Sequence, residues 1–406
     1  MNVIKINNTI LKNKQITTYF GVEGDFSKYF TTNRQFQFEY NFIVENTPIS
    51  IAVIPFICNV LPIIWLCDGK IILDELDEDF FYSIDEFKNG YIKMYPNLRF
   101  NGQIQPKRLV KNIISNSEDS SLAFFSGGVD AYNTLINHFE KKPNLMLIWG
   151  ADISLSDKIG WENVLKQIES IAYQFNLSLI TCKTNFTSFI DEEKLEILVK
   201  ESGDGYWHGF QHGIGMIGHA APIAYSKAIS KIFIASTFTI KDKVTCASDP
   251  TIDNYVKFCG CSVFHDGYEY LRQDKIRNIS EFSKKNKIPF EMHVCWQSSG
   301  GKNCSACEKC YRTIIGLYAE NCNPESFGFS INKNTYKDIN KYLENNQLID
   351  YVANLWIDIQ KVVFEKRDIF EDDTNINWII KFNFKKERTS SLVVKLKTLL
   401  KKGIFR

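Results

Sequence analysis

Apolar and polar positions change period several times along the chain, and each change predicts an element. Phe36, Phe38, Tyr40 and Phe42 alternate with polar neighbours, the period of a strand with one buried face. Residues 49–67 are the most apolar stretch, but Pro55, Asn59 and Pro62 interrupt it, which predicts proline-separated buried strands rather than a membrane span. Gly69 and Lys70 divide that run from the apolar residues 71–73, predicting a hairpin. Residues 74–85 are acidic and aromatic by turns and lead into a helix through Phe87, Tyr91 and Met94. Residues 1–115 therefore read as a separate α+β unit that braces the rest or binds a partner.

Farther on, strand and helix patterns alternate. Residues 122–125 form a short apolar run suited to a buried strand, and Leu135 and Ile136 continue a helical pattern beyond the turn Ser126-Gly127-Gly128-Val129-Asp130. Strands are predicted at 145–149, 177–181 and 231–237, and helices at 159–175 and 214–229. This order predicts an α/β fold, a parallel sheet with crossover helices, whose ligand sits beyond the carboxyl ends of the strands where strand order reverses. Ser126 lies at that exit. Residues 335–363 carry apolar positions at helical spacing and belong to a carboxy-terminal helical extension, 330–406, that packs on the core or makes a homodimer. Its last segment sets Leu392, Val393, Leu396, Leu399 and Leu400 against four lysines. That basic amphipathic helix would dock on the protein itself, an anionic membrane surface or an acidic partner.

Composition narrows the classes. A chain of 406 residues with 44% hydrophobic content can bury two cores, and 48 basic against 47 acidic residues give no global field to attract nucleic acid. The eleven cysteines are an odd number, and charged and polar residues interrupt the start of the chain, so neither a disulfide framework nor a secretory signal is expected. A cytoplasmic location follows as an expectation. Cys295, Cys304, Cys307 and Cys310 form Cys-x8-Cys-x2-Cys-x2-Cys, in which the short gaps turn consecutive thiolates back toward one ion. Four such ligands predict a closed, structural zinc site.

At residues 126–130 the two glycines let backbone approach an anion, and the free N–H groups of the following helix favour phosphate, although an ordinary strand-to-helix turn reads the same way. The turn lacks the lysine of the P-loop and the third glycine of the dinucleotide fingerprint. Together with the cysteine cluster and its following Arg312 and Gly316, this segment resembles the PP-loop ATP pyrophosphatases, whose signature is SGGxDS, and within them the 7-cyano-7-deazaguanine synthase family. The resemblance covers roughly residues 118–325, within a domain taken as 116–329. It implies that Ser126, Gly127, Gly128, Val129 and Asp130 hold the pyrophosphate end of ATP with Mg2+, and that a substrate is adenylated. Trp149 is then expected beside adenine and Thr237 beside the substrate.

Two departures stand out. Ala131 replaces the signature's last serine, and CASDPTIDNYVKF (246–258) replaces the segment with which the synthase reads its deazapurine. In that segment Asp249 and Asp253 either recognise an amine-like substrate edge or cap a helix. Lys275 corresponds to a lysine that the family places before a helix, so it or Arg272 would neutralise phosphate charge. Arg277 fits a solvated face. The glycine-rich stretch 203–219 gathers His208, His212 and His219, for a second metal, for phosphate or substrate contacts, or for packing. Cys182, Cys246, Cys259 and Cys261 are available as thiol nucleophiles or as small buried hydrophobes.

The resemblance implies an ATP-dependent ligase or synthase that joins ATP to a small-molecule carboxylate, releases pyrophosphate and lets ammonia or an amine attack. The alternatives are a tailoring or defence enzyme that modifies a protein, sugar or nucleic acid, and a non-catalytic nucleotide- or RNA-binding module.

Overall fold

The computed structural model describes residues 2–114, 120–242, 244–295, 297 and 300–386. The amphipathic segment 392–400 lies outside the described residues. The protein is α/β, built on an eleven-stranded, mostly parallel sheet. In chain order the strands are β1 Val3–Lys12, β2 Gln15–Glu23, β3 Gln35–Tyr40, β4 Lys70–Asp77, β5 Gln103–Val110, β6 Ser121–Phe124, β7 Asn144–Trp149, β8 Leu179–Thr184, β9 Lys231–Ala235, β10 Lys257–Phe258 and β11 Cys261–Asp266. Their order across the sheet is β10-β11-β9-β6-β7-β8-β3-β2-β1-β4-β5.

The segment read as a separate amino-terminal unit contributes β1 to β5 to this same sheet. The seam is the antiparallel pairing of β3 with β8, Phe38 opposite Thr184 and Tyr40 opposite Cys182. The alternation at Phe36, Phe38 and Tyr40 does form a strand, with all three side chains buried.

Six helices matter for the site and its support in the first two thirds of the chain: α1 Ile54–Leu66, α2 Glu78–Met94, α3 Val129–Asn137, α4 Lys158–Phe175, α5 His212–Gly218 and α6 Ala221–Lys227. Three more follow, α7 Arg272–Asn286, α8 Glu308–Ala319 and α9 Asp350–Glu365. Helix α1 corrects the expectation of strands between prolines. Residues 54–65 are all buried, and a helix buried on every side shows no amphipathic period to read. Pro55 sits in the first turn, where no helical N–H is lost; Pro62 lies inside the helix. Asn59 is satisfied there, donating to the Pro55 carbonyl at 2.8 Å and accepting from Gln211 Nε2 at 2.9 Å. No hairpin forms at Gly69: the chain passes from α1 into β4, which pairs parallel with both β1 and β5.

The helix expected over 214–229 is two helices. Pro222 stands in the first turn of α6, where its ring is tolerated but could not continue the preceding helix, and the chain turns at His219 and Ala220. Strand β8 begins two residues later than its apolar pattern suggested.

The parallel strands β9, β6, β7 and β8 are covered on both faces. Along β7, Leu145 and Leu147 enter one core with α3, α4, α7, α8 and α9, while Met146 and Ile148 enter the other with α1, α5 and α6. The chain runs from β6 to β7 on one side and later places β9 on the other, so strand order reverses beside β6. An open crevice forms at the carboxyl end of such a reversal. The carboxy-terminal helices pack on the second core: Trp356 of α9 is fully buried and donates from Nε1 to Glu308 Oε1 at 2.9 Å. Among the described residues no helix is long and apolar enough to cross a membrane.

Candidate functional site

The crevice at the end of β6 is a cavity of about 980 Å³, large enough for a nucleotide-sized ligand. Ser126, Gly128, Val129 and Asp130 all line it. Gly127 has φ +76°, which only glycine adopts without strain, and its carbonyl accepts from the His293 amide at 2.8 Å. Gly128 is the cap residue of α3, and no side chain caps that terminus among the described residues. Its first amides therefore remain available to an anion, with the helix dipole behind them.

Asp130 is held by two cations. Arg272 Nη1 donates to Oδ2 at 2.5 Å and Lys275 Nζ to Oδ1 at 3.0 Å; Lys275, 1% exposed, also donates to the Ser236 carbonyl at 2.5 Å. Lys275 lies behind Asp130 rather than on the cavity wall, whereas Arg272, Lys309 and Arg312 line it. Burial pushes the Asp130 carboxyl up, but the charges of Arg272 and Lys275 more than reverse this and bring it down to about 2. Burial lowers the Lys309 ammonium, with the nearby Arg272 charge adding to the effect.

The sign of the pH dependence follows. An unfolded aspartate titrates near 3.9, so Asp130 contributes its full stabilisation above about pH 5 and loses it as pH falls from about 4 through about 2. Acid unfolding of the wild type and Asp130→Asn should show stability curves that converge across that window.

Cys295, Cys304, Cys307 and Cys310 bring their sulfurs within 4.8 Å of one another. Cys295 and Cys307 stand 3.9 Å apart, Cys304 and Cys310 3.8 Å. These separations far exceed the ~2.05 Å of a disulfide and match the edge of about 3.8 Å of a tetrahedron with sulfurs about 2.3 Å from zinc. The four thiolates thus fit a structural zinc ion. Cys307 is the cap residue of α8 and Cys310 lies in its first turn, so the same turn carries Lys309 and, one turn on, Arg312 into the cavity.

The other expected residues are spread more widely. Thr237 lines the cavity. Trp149 does not: it stacks on Trp161 at 5.1 Å and donates to the Ser154 carbonyl at 3.0 Å. Asp249 caps the short helix Pro250–Asp253 by accepting from the Thr251 amide, and Asp253 is fully buried, accepting from Ser248 Oγ at 2.7 Å and paired with His265 Nδ1 at 2.8 Å. Ser248 itself lines the cavity. Arg277 pairs with Asp274 and Glu320. His219 is a packing residue, bonded to the Gly215 carbonyl and Thr184 Oγ1. His208 and His212 line the cavity beside Cys246.

Sequence reasoning missed Lys309, His293 and Asp204. Lys309 was within reach, since any residue between two ligands of a helix-capping zinc site must project from the first helical turn. His293 and Asp204 have no local signal.

The close approach of residues 246–248 to α5 depends on Gly213, where an added Cβ would lie 2.4 Å from the Ala247 carbonyl oxygen and 2.7 Å from Ser248 Cα. Both neighbours are backbone. Gly213→Ala should therefore cost about 1–3 kcal/mol, measured by chemical denaturation. A comparison with protein-family models gives no match, and neither does one with curated protein sequences.

Proposed function

We propose that the protein is a PP-loop ATP pyrophosphatase that adenylates a substrate carboxylate, releases pyrophosphate and passes the acyl group to ammonia or an amine, as 7-cyano-7-deazaguanine synthase does. The observation that carries this reading is the convergence on one cavity of an uncapped glycine turn with Arg272, Lys309 and Arg312. The turn amides and Ser126 would receive the β- and γ-phosphates, and the cations would offset charge on the departing pyrophosphate. Asp130 acts as a positioning residue that holds Arg272 toward the phosphates, and Lys275 fixes Asp130 from behind. Magnesium, when bound with ATP, would neutralise phosphate oxygens; Asp130 would have to release a cation to ligate it, since both its oxygens are engaged. Orientation and charge neutralisation, rather than a protein base, would supply the rate of adenylation.

By the resemblance, 7-carboxy-7-deazaguanine is the first carboxylate to test, with other aryl carboxylates beside it because residues 246–258 depart from the synthase's deazapurine-reading segment. Carboxylate-dependent exchange of labelled pyrophosphate into ATP is the expected result. Full exchange in a Ser126→Ala, Asp130→Ala double variant would reject the assigned site.

A further inference from the structure

We propose that Cys246 is a second catalytic centre of this cavity, a nucleophile that takes the acyl group from the adenylate as a thioester before an amine receives it; this rests on the adenylation reading above. Cys246 is 5% exposed and lines the same cavity as Ser126 and Asp130. His208 and His212, from the turn Trp207–Gln211 and the start of α5, line the same cavity wall as this thiol. His208 Nδ1 lies 2.9 Å from Asp204 Oδ1, which leaves Nε2 for the sulfur. Asp204 is fixed in turn, accepting at Oδ2 from Tyr95 and from Thr245 Oγ1, each at 2.9 Å. A nucleophile, a base and a group orienting the base thus stand in series, the arrangement of thiol-based acyl transfer.

Three further observations favour chemistry over packing. The Ala247 amide donates to the His208 carbonyl at 2.8 Å, locking the cysteine segment to the histidine turn. His212 Nδ1 is buried and has no hydrogen-bond partner among the described residues, so a polar atom is left unsatisfied at the cavity wall. Burial pushes the Cys246 thiol up, yet the neighbouring His208 and His212 bring it down to about 7, while the Asp204 carboxylate and the Cys246 thiol take His208 up to about 10. Burial instead raises Cys182, Cys259 and Cys261. A metal at these histidines is not favoured, because among the described residues only the four zinc-site cysteines converge closely enough to hold one.

The chemistry balances without another reagent. The thiolate attacks the acyl carbon, a C–S bond forms, the bond from that carbon to the phosphate oxygen breaks, and AMP leaves with the electron pair; His208 remains an imidazolium. The amine then attacks, a C–N bond forms, the thiolate departs, and the proton lost by the amine passes to solvent.

The test has two arms on the full chain. Iodoacetamide at pH 7, with peptide mapping and no ATP, should alkylate Cys246 roughly tenfold or more faster than Cys182, Cys259 or Cys261, and His208→Gln should abolish that advantage. Labelling of Cys246 no faster than these would overturn the nucleophile whatever becomes of the ATP reading. In the second arm, wild type with ATP, magnesium and 7-carboxy-7-deazaguanine in amine-free buffer should gain a hydroxylamine-labile adduct on Cys246. Pyrophosphate exchange without that adduct, and, once ammonia is added, amide formed equally well by Cys246→Ser, rejects the thioester but leaves adenylation standing. Absence of exchange in wild type would instead count against adenylation, and the labelling arm alone then decides the thiol.

Discussion

Cys307→Ser is expected to leave the protein without zinc and to remove at least about 5 kcal/mol of the roughly 10–16 kcal/mol typical of a structural thiolate site. Cys307 is both one of the four clustered cysteines and the cap residue of α8, so its loss would free the helix start as well as a bound ion. The damage should spread in two directions. Toward the cavity, Lys309 and Arg312 lose their anchor; toward the carboxy terminus, Glu308 loses its position under Trp356 Nε1 and beside Arg312. Metal analysis should find near-stoichiometric zinc in wild type and almost none in the variant. Thermal unfolding should show a lowered midpoint, and nucleotide affinity should fall with it. Stoichiometric zinc and an unchanged midpoint in Cys307→Ser would show that the four sulfurs are not a metal shell.

Asp130→Ala should be nearly as severe, for an electrostatic reason. Removing the carboxylate leaves Arg272 and Lys275, 9% and 1% exposed, facing each other without their shared counter-charge. Breaking a buried pair in this way costs about 3–5 kcal/mol, more than the intact pair contributes, because the surviving charges stay desolvated. Pyrophosphate exchange should drop by about 10²–10³-fold as Arg272 loses its orientation. Lys275→Met separates the two effects. It keeps the Asp130 to Arg272 bond, so stability should suffer less while exchange still falls. Equal stability of wild type and Asp130→Ala in urea would contradict this account.

The local parts of the fold were legible and the non-local parts were not. The strand before Ser126, the helix after Gly128 and the cysteine spacing depend on neighbours within a turn, and each is written in consecutive residues. Helix α1 was misread because a helix surrounded by protein has no polar face, so its prolines carried more weight than its period. The joining of β3 to β8 was invisible, since Phe38 and Thr184 meet across a long stretch of chain and nothing in either strand names its partner. The crevice at the strand reversal was foreseeable from topology, yet the same argument put Trp149 there, and its indole turns instead onto Trp161. Asp204, His208, His212 and Cys246 illustrate the same limit at the site. The histidines drew notice by spacing, but only tertiary packing shows that they share a cavity wall with Cys246.

The β3 to β8 seam also determines what happens when the chain is divided. Residues 2–114 expressed alone would present β3 as a raw edge and α1 as a greasy cylinder; residues 120–386 alone would bare β8 and the glycine face of α5, where Gly218 lies against Cys58. Each half should therefore need the other to fold, and the two should be recovered in good yield only when made together.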